Sequence, residues 1–368
     1  MATMRERCRW CGLLLEVPVQ AQTIMCPGCH TLIQLQRNAP TYAALPTTYG
    51  YTNPMPAPAA NGGLPTPYGY TNPMPTGNNV YPVESYYAPA APPRVQNNRR
   101  RALLCGVTYR GHKKSLKGSI NNVKWIRNLL VENLGFPTSS ILILTEDERD
   151  PYRKPTKANI RESLNWLVRG CQPGDSLFFY YSGHASQVLD RDGDEMDGFD
   201  ESLCPMDYET EGRILDDEIN EKIVRPLPRG VTLHAVMDTC FSGTFLDLPF
   251  MCRMNRDGSA KWEDHRNPYS AYKGTSGGTA ICISACDDHQ NSADTTAFTG
   301  TTMGALTFSF IETLKQEPKM TYGRLLMSLR ELIDEAQRGI FHDGRAATQV
   351  PQLSSSERFD IHSKIMNL

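Results

Sequence analysis

Nowhere does the sequence hold a run of roughly eighteen apolar residues, the length a membrane-crossing helix needs. Its first ten residues, Met1 to Trp10, are charged where a secretory leader requires an apolar stretch. Neither sign of charge dominates: 38 Lys and Arg face 40 Asp and Glu for a net charge of -2. That balance removes the electrostatic reason for binding nucleic acid through the bulk surface. Cysteine does not come as an even set either. Of 11 cysteines, seven are scattered through apolar or motif contexts, which fits free thiols in a reducing compartment better than a disulfide framework. These absences predict a soluble chain of the cytoplasm or the nucleus, with no membrane and no nucleic acid among its partners.

One stretch lacks almost everything a folded core requires. Residues 39–98 carry 13 of the 26 prolines and 8 of the 16 tyrosines, and only Glu84 and Arg94 are charged. Within it Leu45 to Pro56 (LPTTYGYTNPMP) recurs as Leu64 to Pro75 (LPTPYGYTNPMP), a repeat of 19 residues. Two copies are too few for a solenoid. The composition predicts a disordered, partly extended linker, with a docking segment for a proline-recognising protein as the alternative. Before it, residues 1–38 hold Cys8-Arg-Trp-Cys11 and, fourteen residues on, Cys26-Pro-Gly-Cys29. Tight turns at two such pairs aim four thiolates at one tetrahedral zinc, so Cys8, Cys11, Cys26 and Cys29 are the candidate ligands of a structural zinc finger. So short a segment takes much of its folding energy from the metal. Two incidental pairs, or a redox motif, are the alternative.

The third region, 99–368, opens with Arg99-Arg-Arg101 and then reads as buried strands at 102–107, 141–145, 176–181, 231–237 and 280–285. Helix-period stretches fall between them, near 120–134, 157–168, 216–224, 304–314 and 322–336. This alternation predicts an α/β domain with a mostly parallel sheet covered on both faces. Its chemistry is then expected where strands end at the carboxyl edge. Two strand ends carry unusual residues. Ser176 to Tyr181 runs into Ser182-Gly-His184-Ala185, and Val231 to Met237 runs into Asp238-Thr-Cys240-Phe-Ser-Gly243. If the two strands are neighbours, the Cys240 sulfur and the His184 imidazole face one another. A histidine so placed lowers the thiol pKa and then protonates a leaving amine. The N–H groups of Ala185 and Cys240 are placed to receive an oxyanion. Taken singly, a cysteine after a strand is an ordinary small apolar residue, and a lone histidine an ordinary satisfied polar group. Only this pair combines both turns.

Carboxylates crowd the segment between the two turns, from Asp190 to Glu201 and again at Asp216-Asp217-Glu218. Asp190, Asp192, Asp194 and Glu201 match positions of a helix-loop-helix calcium motif, but Glu195 stands where its sharp turn needs glycine. A solvated acidic loop and a calcium site assembled from separate loops both stay open.

With SGHASQ around His184 and DTCFSGT around Cys240, the chain from about Arg101 onward resembles a type I metacaspase. The Cys8 to Cys29 segment resembles the zinc finger of plant lesion-simulating-disease proteins. Finger, proline-rich prodomain and catalytic domain together make a plant type I architecture. The resemblance implies a caspase-hemoglobinase fold, His184 and Cys240 as a catalytic dyad, cleavage of proteins and peptides after Arg or Lys, activation by calcium, autoprocessing, a monomer, and a role in programmed cell death or stress. It implies calcium ligands at Asp200, Asp216, Asp217 and Asp247. It also implies an S1 pocket for the basic side chain at Ser119, Asn122, Ser182 and Asp238, where a carboxylate pairs with Arg or Lys. A carboxylate that merely fixes its own turn is the alternative for Asp238. The large-subunit region is then 99–248, the processing loop 249–278 and the small-subunit region 279–368. Candidate autocleavage residues are Arg253, Arg256, Lys261, Arg266 and Lys273, with Arg99 to Arg101 as a second place, unless these are ordinary basic surface residues.

Three positions depart from the family pattern. Gly118-Ser-Ile-Asn-Asn122 stands where relatives commonly have GCxND, which leaves one pocket carboxylate neutral. Ala185 replaces a glycine and Phe241 a histidine. A rival reading makes the chain chiefly a zinc-finger and proline-rich adaptor, its peptidase-like domain weakly active or inactive. Retention of the dyad and of four calcium-site aspartates favours the enzyme.

Overall fold

The computed structural model describes residues 3–7, 14–19, 21, 23–25, 32–34, 99–191, 193, 195, 198–239, 245–255, 257–267, 272–284, 294–295, 303–340 and 350–368. Residues 1–35 and 96–368 form one compact unit. Near the N-terminus β1 (Thr3–Arg7) pairs antiparallel with β2 (Leu14–Pro18), and β3 (Thr23–Met25) with β4 (Leu32–Gln34). Along β2, burial alternates as a one-sided strand requires, and Leu15 and Val17 join the core cluster of the α/β domain. The four cysteines proposed for zinc lie outside the described residues.

The α/β domain follows in the order β5 (Arg100–Gly106), α1 (Ser119–Asn128), β6 (Ile141–Thr145), α2 (Lys157–Val168), β7 (Ser176–Ser182), β8 (Ala185–Leu189), β9 (Phe199–Leu203), α3 (Tyr208–Glu211), β10 (Ile214–Leu215), α4 (Asp216–Ile219) and β11 (Thr232–Asp238). After these come β12 (Phe250–Met254), β13 (Ala260–Asp264), β14 (Thr279–Ser284), β15 (Asp294–Thr295), β16 (Met303–Gly304), α5 (Ala305–Gln316), α6 (Tyr322–Ile340) and β17 (Gln352–Ser355). Eight strands make the main sheet in the order β13-β12-β17-β14-β11-β7-β5-β6. The run from β14 to β6 is parallel, and β17, β12 and β13 extend it antiparallel. The expected α/β class and mostly parallel sheet are therefore the ones found, and all five expected strands lie in its parallel run.

Side-chain alternation along these strands feeds two cores. Leu103, Cys105, Phe179, Tyr181, Leu233 and Met237 face Ile160, Leu164 and Leu167 of α2 in one cluster. Ala102, Leu104, Phe178, Tyr180 and Val236 face Val123 and Ile126 of α1 and Phe310 and Leu325 of α5 and α6 in the other. Burying each such Leu or Phe contributes about 1.5–3 kcal/mol. The apolar spacing that forms α2 also aims Ile160, Leu164 and Leu167 at one face, while Thr156 caps its start by accepting from the Asn159 N–H. At its other end Arg101 of β5 donates to the carbonyls of Trp166, Leu167 and Arg169. Strand and helix are thereby tied at the edge opposite the carboxyl ends.

Candidate active site and acidic cluster

β7 and β11 are adjacent and parallel, with Ser182 directly opposite Asp238. His184 follows the first of these by two residues and Cys240 follows the second by two. The neighbouring-strand condition set by the sequence is met. Cys240 itself lies outside the described residues, as does Phe241.

His184 sits in a built frame. Its backbone N–H donates to the Tyr109 hydroxyl at 2.8 Å, its ring stacks on the Tyr109 ring at 4.6 Å, and its Nε2 is 2.6 Å from the Lys114 carbonyl oxygen. A carbonyl only accepts, so Nε2 carries the ring proton and Nδ1 is left as the basic atom. The Tyr109 hydroxyl donates in turn to the Cys204 carbonyl at 2.6 Å, and the Tyr181 hydroxyl donates to the His184 carbonyl at 3.0 Å. Burial raises both phenol pKa values, which keeps them protonated as donors. Tyr109 occupies the left-handed region at φ 53°, a conformation that costs a bulky side chain on the order of 1–3 kcal/mol. Glu146 offsets that strain. Its carboxylate accepts from the backbone N–H groups of Thr108, Tyr109 and Arg110 at 2.9, 2.5 and 3.1 Å. Ala185 begins β8 immediately after the histidine.

The four residues assigned to the S1 pocket are all buried. Asn122 Nδ2 donates to Ser182 Oγ at 3.0 Å and lies 3.3 Å from Asp238 Oδ2, while its Oδ1 accepts from the Gly304 N–H. Ser119 opens the same helix, α1, one turn earlier. Sequence reading missed Thr307, a fully buried residue of α5 whose hydroxyl donates to the same oxygen of Asp238. Its own oxygen is 2.6 Å from the Tyr180 hydroxyl. Gly304 approaches so closely that a Cβ there would overlap the Asp238 carboxylate. Alternation along β7 thus sends Tyr181 toward His184 and Tyr180, through Thr307, toward Asp238.

A second concentration of charge lies beside the small antiparallel sheet β10-β9-β8. Asp200 of β9 and Asp216 and Asp217 at the start of α4 offer carboxylate oxygens within 4.8 Å of one another, the first two buried. Asp216 is fixed by the Glu201 N–H at 3.1 Å and by the Asp217 N–H at 3.0 Å. Burial first, and then Glu201, Asp247, Glu195 and Asp217, raise its pKa well above the carboxylate range. Burial also raises that of Asp247, against the pull of Lys273. Hard oxygen donors without nitrogen or sulfur suit calcium. Asp247, at φ 51°, meets the group through Lys273, whose Nζ lies 2.7 Å from Asp247, 2.8 Å from Glu195 and 3.5 Å from Asp217. Asp190 instead shapes the loop, accepting from the Gly193 and Glu195 N–H groups. Asp192 and Asp194 lie outside the described residues.

Residues 249–278 hold more order than a bare loop. Arg253 is on β12 and Lys261 on β13, where the two face each other in an antiparallel hairpin. Arg253 also pairs with Glu263, and Arg266 forms a two-pronged pair with Asp264. Arg100 and Arg101 belong to β5. Arg256 lies outside the described residues.

Residues 100–249 match the family model described as "Metacaspase, peptidase C14 domain". Over 370 residues, and 99% of both chains, the sequence is 47% identical to Metacaspase-3 of Arabidopsis thaliana. It is 43% identical to Metacaspase-1 of the same plant over 99% of this chain and 96% of that one. Metacaspase-2 is 50% identical over 66% of this chain and 58% of its own length. A solved pro-Sf-caspase-1 covers 70% of this chain and 91% of its own at 11% identity and a TM-score of 0.41. The chain belongs to the metacaspases, and with them to the cysteine peptidases. Among the described residues no helix is long and apolar enough to cross a membrane.

Proposed function

We propose that the chain is a calcium-activated endopeptidase that cleaves after Arg or Lys, with Cys240 as nucleophile and His184 as its acid-base partner. The observation that carries this reading is the Ser182–Asp238 register, together with a histidine whose proton is fixed on Nε2. His184 Nδ1 takes the Cys240 proton, and the thiolate adds to the scissile carbonyl carbon. The resulting oxyanion is received by the N–H groups of Ala185 and Cys240. As the C–N bond breaks, His184 returns the proton to the leaving amine, giving a thioester. Water, deprotonated by the same nitrogen, then releases the acid and the thiol. The Lys114 carbonyl stabilises the imidazolium by keeping its Nε2–H bonded throughout.

Asp238 receives the guanidinium or ammonium of the substrate, with Ser182, Asn122 and Ser119 completing the pocket. One carboxylate and a neutral Asn122 leave a single negative charge there, so weaker selection for basic residues is expected than in relatives with two acids. Asp200, Asp216, Asp217 and Asp247 would hold the calcium ion, which would supply positive charge to these carboxylates. Zinc on Cys8, Cys11, Cys26 and Cys29 and protein partners of the proline-rich segment belong to the same reading, as do cleavage of its own 249–278 segment and a role in cell death or stress. The test is hydrolysis of Arg-, Lys- and Asp-ending peptides with calcium or with chelator, beside Cys240→Ala. Equal rates from wild type and the alanine variant would end the reading.

A further inference from the structure

Lys273 has an environment unlike that of the other basic residues described between 249 and 278. Its side chain is 13% exposed, whereas those of Arg253 and Arg266 are 41% and 57% exposed. Its ammonium touches three carboxylates from three parts of the fold: Asp217 of α4, Asp247 between β11 and β12, and Glu195 of the acidic loop. The backbone is held as well. Asn220 Nδ2 is 2.9 Å from the Lys273 carbonyl and also reaches the carbonyls of Leu246 and Asp247. Nearby, Asn267 donates to the Gly193 carbonyl, so the segment is fastened to the acidic loop at a second point.

Two of the three partners, Asp217 and Asp247, belong to the proposed calcium set. Carboxylates this crowded repel one another, and a tethered ammonium offsets part of that charge. Calcium takes six to eight oxygens at close range. It cannot gather Asp217 and Asp247 while a second cation keeps ion-pair contact with both, because the two cations repel strongly at that separation with little water between them.

We propose that Lys273 is a built-in competitor for the calcium site. Its ammonium occupies the carboxylates of the calcium-free chain, and calcium displaces it, which frees Lys273 as a basic residue open to proteolysis. Calcium concentration is then coupled directly to exposure of one lysine in the processing segment. The inference rests on the calcium reading above and adds what the metal must remove in order to bind.

The test uses the full chain carrying Cys240→Ala, so that it cannot cut itself. Calcium binding is followed by titration calorimetry in this background and with Lys273→Met, Lys273→Arg or Asp216→Asn added. Lys273→Met should bind calcium about tenfold more tightly, and Lys273→Arg should stay near the starting affinity. Unchanged or weaker binding by Lys273→Met overturns the competitor. Unchanged calcium affinity after Asp216→Asn, or binding absent from every variant, overturns the calcium reading itself. A second measurement leaves Lys273 in place. Brief trypsin treatment, read by mass spectrometry, should cut after Lys273 at least about fivefold faster with saturating calcium, while the cut after exposed Lys319 keeps its rate. Equal rates after Lys273 with and without calcium overturn the displacement.

Discussion

The molecule carries one buried acid beside the candidate active site and a cluster of acids beside the small sheet, and it treats their charge in opposite ways. Around Asp238 every hydrogen-bonding neighbour named above is neutral: Asn122 and Thr307 donate to it and Ser182 stands opposite in the sheet. Around Asp217 and Asp247 a lysine from the chain itself supplies the countercharge. Neutral donors favour the charged form of a carboxylate without adding a countercharge of their own. An internal ammonium cancels charge until something stronger replaces it. The first arrangement suits selection of a substrate, the second a threshold for an ion.

The largest effect that can break this contrast is expected from Asp238→Asn. Removing one partner of a buried charge pair costs on the order of 2–5 kcal/mol, so kcat/KM for Arg and Lys peptides should fall roughly thirtyfold or more. Calcium affinity should not move. Asp216→Asn should do the converse. It is expected to raise the calcium concentration for half activation by tenfold or more, or to abolish the response, while the ratio of Arg to Lys cleavage at saturating calcium stays as it was. Assaying both variants across a calcium series decides the matter: a change in both properties from either substitution would mean that the two acidic groups act as one.

A middle-sized effect is expected from Asn122→Asp, which returns a second carboxyl to the pocket. The present amide nitrogen lies 3.3 Å from Asp238, so two acids there share a proton and one titrates well above the usual range. At low pH the pair holds that proton and carries the wild-type charge. As pH rises the proton leaves and the charge doubles. The advantage of the variant on Arg and Lys peptides should therefore grow with pH, toward about tenfold. A ratio of variant to wild-type kcat/KM that stays flat from pH 5.5 to 8.5 would refute this.

How legible these features are in the sequence depends on what carries them. The parallel strands and the helices packed on them show as apolar runs and helical spacing, and α2 falls on the expected residues. His184 and Asp238 are marked because each ends such a strand. The support behind His184 leaves no local trace. Glu146 acts on residues 36 to 38 positions away, and Lys114 contributes a carbonyl that any residue would provide. The β12–β13 hairpin hides for another reason. β13 lies at the edge of the sheet and reads Ala260-Lys-Trp-Glu-Asp264, mostly exposed and largely charged, which resembles a loop in sequence. Lys273 looks like Lys261 in sequence, and only the fold tells one from the other.

Thr307 offers the smallest effect and the finest test of the neutral-donor side of the contrast. Its hydroxyl donates to Asp238 and is backed by Tyr180, so it holds the carboxylate in position without touching the reacting atoms. Thr307→Val keeps the shape of the side chain and removes the donor. Losing a hydrogen bond to a charged group is worth about 1.5–3 kcal/mol, part of which Asn122 can recover by moving onto the vacated oxygen. A loss of roughly three- to tenfold in kcat/KM is expected for Arg and Lys peptides. It should fall mainly on KM, because the proposed role of the pocket is to bind the side chain and His184 lies outside the network. Thr307→Ser should restore the value. A purely structural role would lower thermal stability and leave KM alone, whereas a positioning role shifts KM in Thr307→Val and reverses it in Thr307→Ser at equal stability.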